Sequence, residues 1–328
     1  MNLTIPVSIP QSPSQMGYKD ASLWIGSCFT EKIGNKLSQL KFKTCINPSG
    51  IIYNPVSIQK IISRIIEKRL YTENDLNFLN GLYYSNDHHG SFSHPEKKTC
   101  LDGINKKLTK ASDFISESAF LLITLGSAWV FSDKITGEVV ANCHKRPASD
   151  FEKEILTFQE TAKCLQETIQ SCTAANPSLK IIFTVSPVRH NAYGAIGNMH
   201  SKAVLISAIH EVIPQFSNCY YFPAFEIMMD ELRDYRFYAD DMIHPSSLAE
   251  NIIFEKFTHT IIEQESLKTI PAVEKVIRAA AHKPLHPADS TLKSFSENML
   301  KEIHRLTIEF PFLDFSAEIE IFKKNVSC

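Results

Sequence analysis

The segment Phe120-Leu-Leu-Ile-Thr-Leu125, stopped at Gly126-Ser127, constrains the fold most. It is apolar nearly throughout, as befits a strand covered on both faces, and such strands belong to parallel sheets. Parallel strands need crossover connections, usually helices, so strand and helix patterns must alternate along the chain. They do. Ser22-Leu-Trp-Ile25 reads as a strand ending at Gly26, and Phe29, Ile33, Leu37 and Leu40 follow at helical spacing. Residues 44–53 are β-like, broken by Pro48-Ser-Gly50, and residues 57–70 are helical. Residues 151–172 read as one long helix, 180–185 as a strand, 200–213 as a helix and 219–222 as a strand. Ser246 caps a helix through about Ile262. The expected fold is α/β: a three-layer α/β/α, doubly wound parallel sheet of flavodoxin-like type.

Residues 72–118, with Gly81, Asp87-His88-His89-Gly90 and Pro95, break the repeat and read as an insertion or cap. Beyond Gln264 only helical periods remain, over 273–281 and 291–306, separated by a turn around Pro284, Pro287 and Asp289. The expected organisation is an α/β domain over residues 1–265 and a helical C-terminal extension over 266–328. A formal charge of -2 gives no electrostatic reason to expect nucleic acid or an anionic membrane as partner. Residues 1–10 lack a basic stretch followed by an apolar run, and no apolar run approaches the ~18 residues of a membrane span. The eight cysteines form no Cys-x-x-Cys pair, so reduced thiols and a cytoplasmic location are expected.

Ligands of open parallel sheets bind outside the carboxyl ends of the strands, so reactive side chains there carry most weight. In Gly26-Ser27-Cys28-Phe29-Thr30 a strand ends, a Gly permits a sharp turn and a helix begins. A helix N-terminus lowers a thiol pKa and offers N–H groups to an oxyanion. The plainer reading makes Ser27 an N-cap and Cys28 a small buried hydrophobe. In Asp240-Asp241-Met242-Ile243-His244-Pro245 a carboxylate three residues before an imidazole can fix its tautomer. The alternative is an Asx-turn before the next helix, with a surface His. Gly126 and Ser127 close the central strand and bring backbone N–H groups near a substrate. Asn142 offers a side-chain donor, His144 follows Cys143, and Arg189 follows another strand end. His88, His89 and His94 make a metal site conceivable, but no carboxylate or Cys stands at ligand spacing, and a polar loop is the simpler reading.

Taken together, an elbow after the first strand and Asp-x-x-His before the last helix of the sheet domain resemble the SGNH hydrolase superfamily. Gly26-Ser27-Cys28-Phe29 resembles the namesake motif of the bacterial GSCFA family. So do Asn47-Pro-Ser-Gly50 with Tyr53-Asn-Pro55, Thr124-Leu-Gly-Ser-Ala128, Ala141-Asn-Cys-His-Lys145, Thr184-Val-Ser-Pro-Val188 and Tyr221-Phe-Pro223 through Ser246. The resemblance spans roughly residues 20–260. It implies an acyl hydrolase or acyltransferase working on an ester or thioester through a covalent acyl-enzyme, without cofactor or metal. In its register the nucleophile falls on Cys28, with Ser27 attacking if the elbow is shifted by one residue. His244 is then the base and Asp241 its orienting partner. The oxyanion is held by the N–H groups of residue 28 and Gly50. Gly126-Ser127-Ala128-Trp129 stands where the superfamily carries Gly-x-Asn-Asp, so the usual Asn is missing and Asn142 is the candidate replacement. The substrate implied is a small-molecule or glycan ester. The competing expectation is a catalytically degenerate binding module for a glycan or acylated ligand.

Overall fold

The computed structural model describes residues 4–282 and 290–327, so the turn expected around Pro284, Pro287 and Asp289 lies outside the described residues, as does Cys328. The chain opens with β1 (Ala21–Gly26), α1 (Cys28–Gln39), β2 (Lys43–Ile46) and α2 (Pro55–Glu67). A hairpin of β3 (Asn77–Leu79) and β4 (Leu82–Tyr84) leads to α3 (Lys97–Glu117) and β5 (Phe120–Leu125). Next come β6 (Trp129–Asp133), β7 (Val139–Val140), β8 (Phe151–Ile155), α4 (Phe158–Ala175), β9 (Lys180–Val185), α5 (Gly194–Val212) and β10 (Cys219–Tyr221). The short α6 (Ala224–Glu226) precedes α7 (Ser247–Ile261), α8 (Gln264–Ala281), α9 (Ser290–Glu309) and α10 (Ser316–Ser327).

The main sheet runs β2-β1-β5-β9-β10 and is parallel throughout. β5 lies at its centre and every residue of it is buried, which is why its sequence is apolar rather than alternating. Leu121, Ile123 and Leu125 face the core shared with α2, α3, α4 and α5. Phe120 and Leu122 face the opposite core, shared with α1, α7 and the C-terminal helices. The connections reverse direction between β1 and β5, so a crevice opens beyond the carboxyl ends of those two strands. α8, α9 and α10 complete the second core: Val273, Ile303 and Phe322 belong to one buried cluster with Trp24 and Phe29. Lys41 pins α10 through Glu318 at 2.7 Å. Among the described residues no helix is long and apolar enough to cross a membrane.

The structure departs from the sequence reading in three places. Residues 151–172 are not one helix: β8 pairs antiparallel with β6, and α4 starts afresh behind a Thr157–Glu160 capping box. Phe151 and Ile155 stand four apart, a spacing that fits one helix face as well as one strand face. The region 72–118 is not all insertion. α3 is a crossover helix that buries Cys100, Ile104, Leu108 and Ile115 in the main core, and only the segment before it stands apart. That segment holds a hairpin whose two-residue loop, Asn80-Gly81, has φ of 50° and 80°, as a type I′ turn requires. Finally, the chain after β5 forms a small antiparallel sheet, β7-β6-β8.

Candidate active site

The elbow is built on a glycine. Gly26 has φ of +154°, and a Cβ there would lie 2.4 Å from the Thr124 carbonyl oxygen and 2.7 Å from Thr30 Oγ1. Its N–H donates to Asn47 Oδ1 at 2.9 Å, and its carbonyl accepts from Ile52 N at 3.2 Å, so the strand end is fixed from both sides. Ser27 is the N-cap of α1: its Oγ accepts from Phe29 N at 3.2 Å, and the residue is 3% exposed. Cys28, the first helical residue, is half-buried and faces the crevice. Burial pushes its thiol up, against the backbone N–H groups of Phe29 and Cys28 that favour the thiolate. The helix N-terminus therefore does not lower the thiol on balance, contrary to the sequence reading. The thiol is the resting form.

A carboxylate–imidazole pair stands on the loop before α7. Asp241 Oδ1 accepts from Ile243 N at 2.9 Å and His244 N at 3.0 Å, and Oδ2 meets His244 Nδ1 at 2.6 Å. Bonds from the His244 backbone, the His244 ring and the Ile243 backbone hold the carboxyl down at about 2. A permanent carboxylate at Nδ1 keeps the proton there and leaves Nε2 as the basic nitrogen. The loop is tied by Ala239 N to the His244 carbonyl at 2.8 Å and by Arg189 N to the Ile243 carbonyl at 3.2 Å. Cys28, Asp241 and His244 line one cleft of about 320 Å³, with Val188 and the Lys32–Glu250 ion pair (3.6 Å) at its sides.

The other candidates sit elsewhere. The Gly50 N–H is donated to the Asn47 carbonyl at 2.8 Å, and the Gly126 and Ser127 amides both donate to the Tyr53 carbonyl, at 2.8 and 3.4 Å. These three N–H groups are spent within the fold and do not face an oxyanion. Ser127 Oγ is buried against Ser201 Oγ at 3.2 Å and accepts from Trp129 N. Asn142 accepts from His144 N at 2.8 Å, and both line a second cavity rather than the cleft. The Arg189 guanidinium turns to Tyr238 Oη and Met229 Sδ, each at 3.4 Å, so it braces the His244 loop. The three insertion imidazoles diverge: His88 is buried against Tyr71 and Phe92, His89 Nδ1 accepts from Ser91 N, and His94 Nδ1 accepts from Glu96 N. Among the described residues no group of His, Cys, Asp or Glu is placed to hold a metal ion.

Two features of the crevice have little sequence signal. Tyr53 packs against His190 in a tilted pair, with ring centroids 4.9 Å apart, and lies within electrostatic range of both the Cys28 and Cys143 thiols. Burial, with the charges of Lys202 and His244, lowers His190 to about 4, which keeps that ring neutral. Lys202 on α5 is fully buried, and its Nζ donates at 2.7 Å to two carbonyls that end β5 and β9, those of Gly126 and Ser186. A lysine on the stripe Asn198, Ser201, Lys202, Leu205, Ala208 and Ile209 is the one pattern that marks it in the sequence.

The model of the GSCFA family matches residues 22–257, and that of the GSCFA domain protein, C-terminal domain, matches residues 273–327. No curated protein matches the chain. Among solved structures, the family 3 carbohydrate esterase of Clostridium thermocellum is similar at 10% identity and a TM-score of 0.34, over 79% of this chain and 99% of its own. A carbohydrate esterase family 3 from Talaromyces cellulolyticus is similar at 12% identity and 0.35, over 78% and 99%. An acetyl xylan esterase from Butyrivibrio proteoclasticus is similar at 9% identity and 0.39, over 74% and 63%.

Proposed function

The chain belongs to the GSCFA family, and from that premise we propose an acyl-ester hydrolase or acyltransferase that works through an acyl-cysteine. The carrying observation is that Cys28, His244 and Asp241 line one cleft, with His244 Nδ1 held by Asp241 at 2.6 Å. Cys28 Sγ transfers its proton to His244 Nε2 and attacks the ester carbonyl carbon. The tetrahedral oxyanion is taken by the Cys28 N–H at the start of α1. The intermediate collapses, and the leaving alkoxide takes the proton from His244. Water, or an acceptor alcohol, then gives a proton to His244 and attacks the thioester. The acyl group leaves as acid or new ester, and the Cys28 thiol is restored. Asp241 orients the imidazole and stabilises its cation.

Turnover of p-nitrophenyl acetate tests this. Asp241→Asn removes the fixed tautomer and should lower kcat/KM by about 10²-fold. No turnover by the wild type, or equal turnover by the variant, would sink the reading. A second reading, a ligand-binding module without turnover, is favoured by the three spent amides. Iodoacetamide separates the two. Alkylation of Cys28 that is fast in the wild type and slow in His244→Ala indicates a working thiol–imidazole pair, and equal rates indicate a binding module.

A further inference from the structure

The cleft that holds Cys28 and His244 lies between the first turns of α1 and α7. Cys28 opens α1, and Lys32 stands four residues on, so both share one face of the helix, about 6 Å apart along its axis. Glu250, on the neighbouring α7, meets Lys32 Nζ at 3.6 Å. Further along, Lys36 Nζ donates to Asn251 Oδ1 at 2.5 Å, so the two helices run side by side. Cys28, Lys32 and Glu250 all line this one cleft. A carboxylate therefore stands in it about one helical turn from the thiol.

The two members of this ion pair are not alike. The Lys32 side chain is 61% exposed, so its ammonium is open to solvent. The Glu250 side chain is 13% exposed, and among the described residues no hydrogen bond reaches its carboxylate. At 3.6 Å the contact with Lys32 is longer than a hydrogen bond, and an exposed lysine held so loosely contributes little. The other carboxylate of the lining, Asp241, is engaged by Ile243 N, His244 N and the His244 ring. Glu250 is thus the carboxylate of the cleft that lacks a close donor. A sheltered carboxylate gains most from a ligand that brings a charge-assisted hydrogen bond. An anion is disfavoured, since it would face Glu250 and Asp241 with one solvated lysine in its favour. A purely alkyl ligand would pack on Phe29, Val188 and Pro245 but leave the carboxylate unpaired.

We propose that Glu250 is the recognition site for an ammonium group on the substrate. The ester attacked at Cys28 then bears a primary amine about one helical turn from its carbonyl, an inference that rests on the acyl-transfer reading above. The ligand's ammonium takes the place of Lys32 beside the carboxylate, and its alkyl stem packs on the apolar wall. Paired substrates test it: 4-aminobutyl acetate and n-pentyl acetate, which differ by NH₃⁺ for CH₃. The wild type should favour the ammonium ester at least about tenfold in kcat/KM. Glu250→Gln keeps the shape, removes the charge and should bring that ratio to about one, carried by KM for the ammonium ester. Lys32→Met removes the competing cation and should raise the ratio above the wild type. A ratio that Glu250→Gln leaves unchanged overturns the subsite, and so does a parallel loss on both esters. If the wild type turns over neither ester, the acyl-transfer reading fails separately. Calorimetric titration with n-pentylammonium then decides the subsite alone. Binding that Glu250→Gln abolishes supports it, and binding that is absent from the wild type or equal in both proteins overturns it.

Discussion

Cys28→Ala should reduce kcat/KM for short-chain esters by about 10³-fold or more, while Ser27→Ala should keep it within about tenfold. The two residues are neighbours, but α1 gives them opposite surroundings. Ser27 is buried and its Oγ is engaged by Phe29 N, so its loss should appear as about 1 kcal/mol of stability, read by urea denaturation. Cys28 faces the cleft that His244 enters. Because burial keeps the Cys28 thiol protonated, attack depends on proton transfer to His244, and His244→Ala should cost as much as Cys28→Ala. The double variant should then be no worse than either single one, since the pair acts as a unit. Full activity in Cys28→Ala with loss in Ser27→Ala would place the nucleophile one residue earlier.

Lys202→Met should destabilise the fold by about 2–4 kcal/mol at mildly alkaline pH, measured by urea denaturation. Two strand-end carbonyls, of Gly126 and Ser186, lose their donor in a site without water access, and each buried unsatisfied acceptor costs about 1–3 kcal/mol. Relief of the buried charge offsets part of this. Burial lowers the Lys202 ammonium from 10.5 to about 7, with the Cys28 charge opposing. Between those two values the unfolded chain binds the extra proton, so this group's contribution to stability rises with pH across the window. The deficit of Lys202→Met against the wild type should therefore be smallest below about pH 7 and widen towards pH 10. A deficit that is flat with pH would mean that the lysine is not held as described. The same substitution should slow turnover, because Gly126 follows β5 directly beside the elbow and packs on Tyr53.

The parts of this molecule that the sequence made readable are those specified by short-range signals. The apolar run of β5, the Gly26 turn with its helix, and the Asp241–His244 spacing each need only a few adjacent residues. The fold class followed from them, and Cys28, Asp241 and His244 do line one cleft. What stayed hidden depends on contacts distant in the chain. The Gly126 and Ser127 amides looked free to bind an oxyanion, yet the Tyr53 carbonyl, from a loop before α2, takes both. β8 was hidden because Phe151 and Ile155 are consistent with either period, and only pairing with β6 decides between them. Lys202 gave no signal beyond a charge on a buried stripe, since its carbonyl partners come from two other elements. Asn142 was read as a donor to the reacting carbonyl, but its geometry directs it to the His144 turn and the second cavity.

The most direct test of the central claim is mass spectrometry of the enzyme quenched in acid within its first turnovers of an acetyl ester, followed by fragmentation of the peptide carrying residues 27 and 28. The account predicts a single acetyl group on the Cys28 sulfur, released by neutral hydroxylamine and absent from His244→Ala treated in the same way. An acetyl group on Ser27, or turnover without any acyl adduct on this peptide, would contradict it.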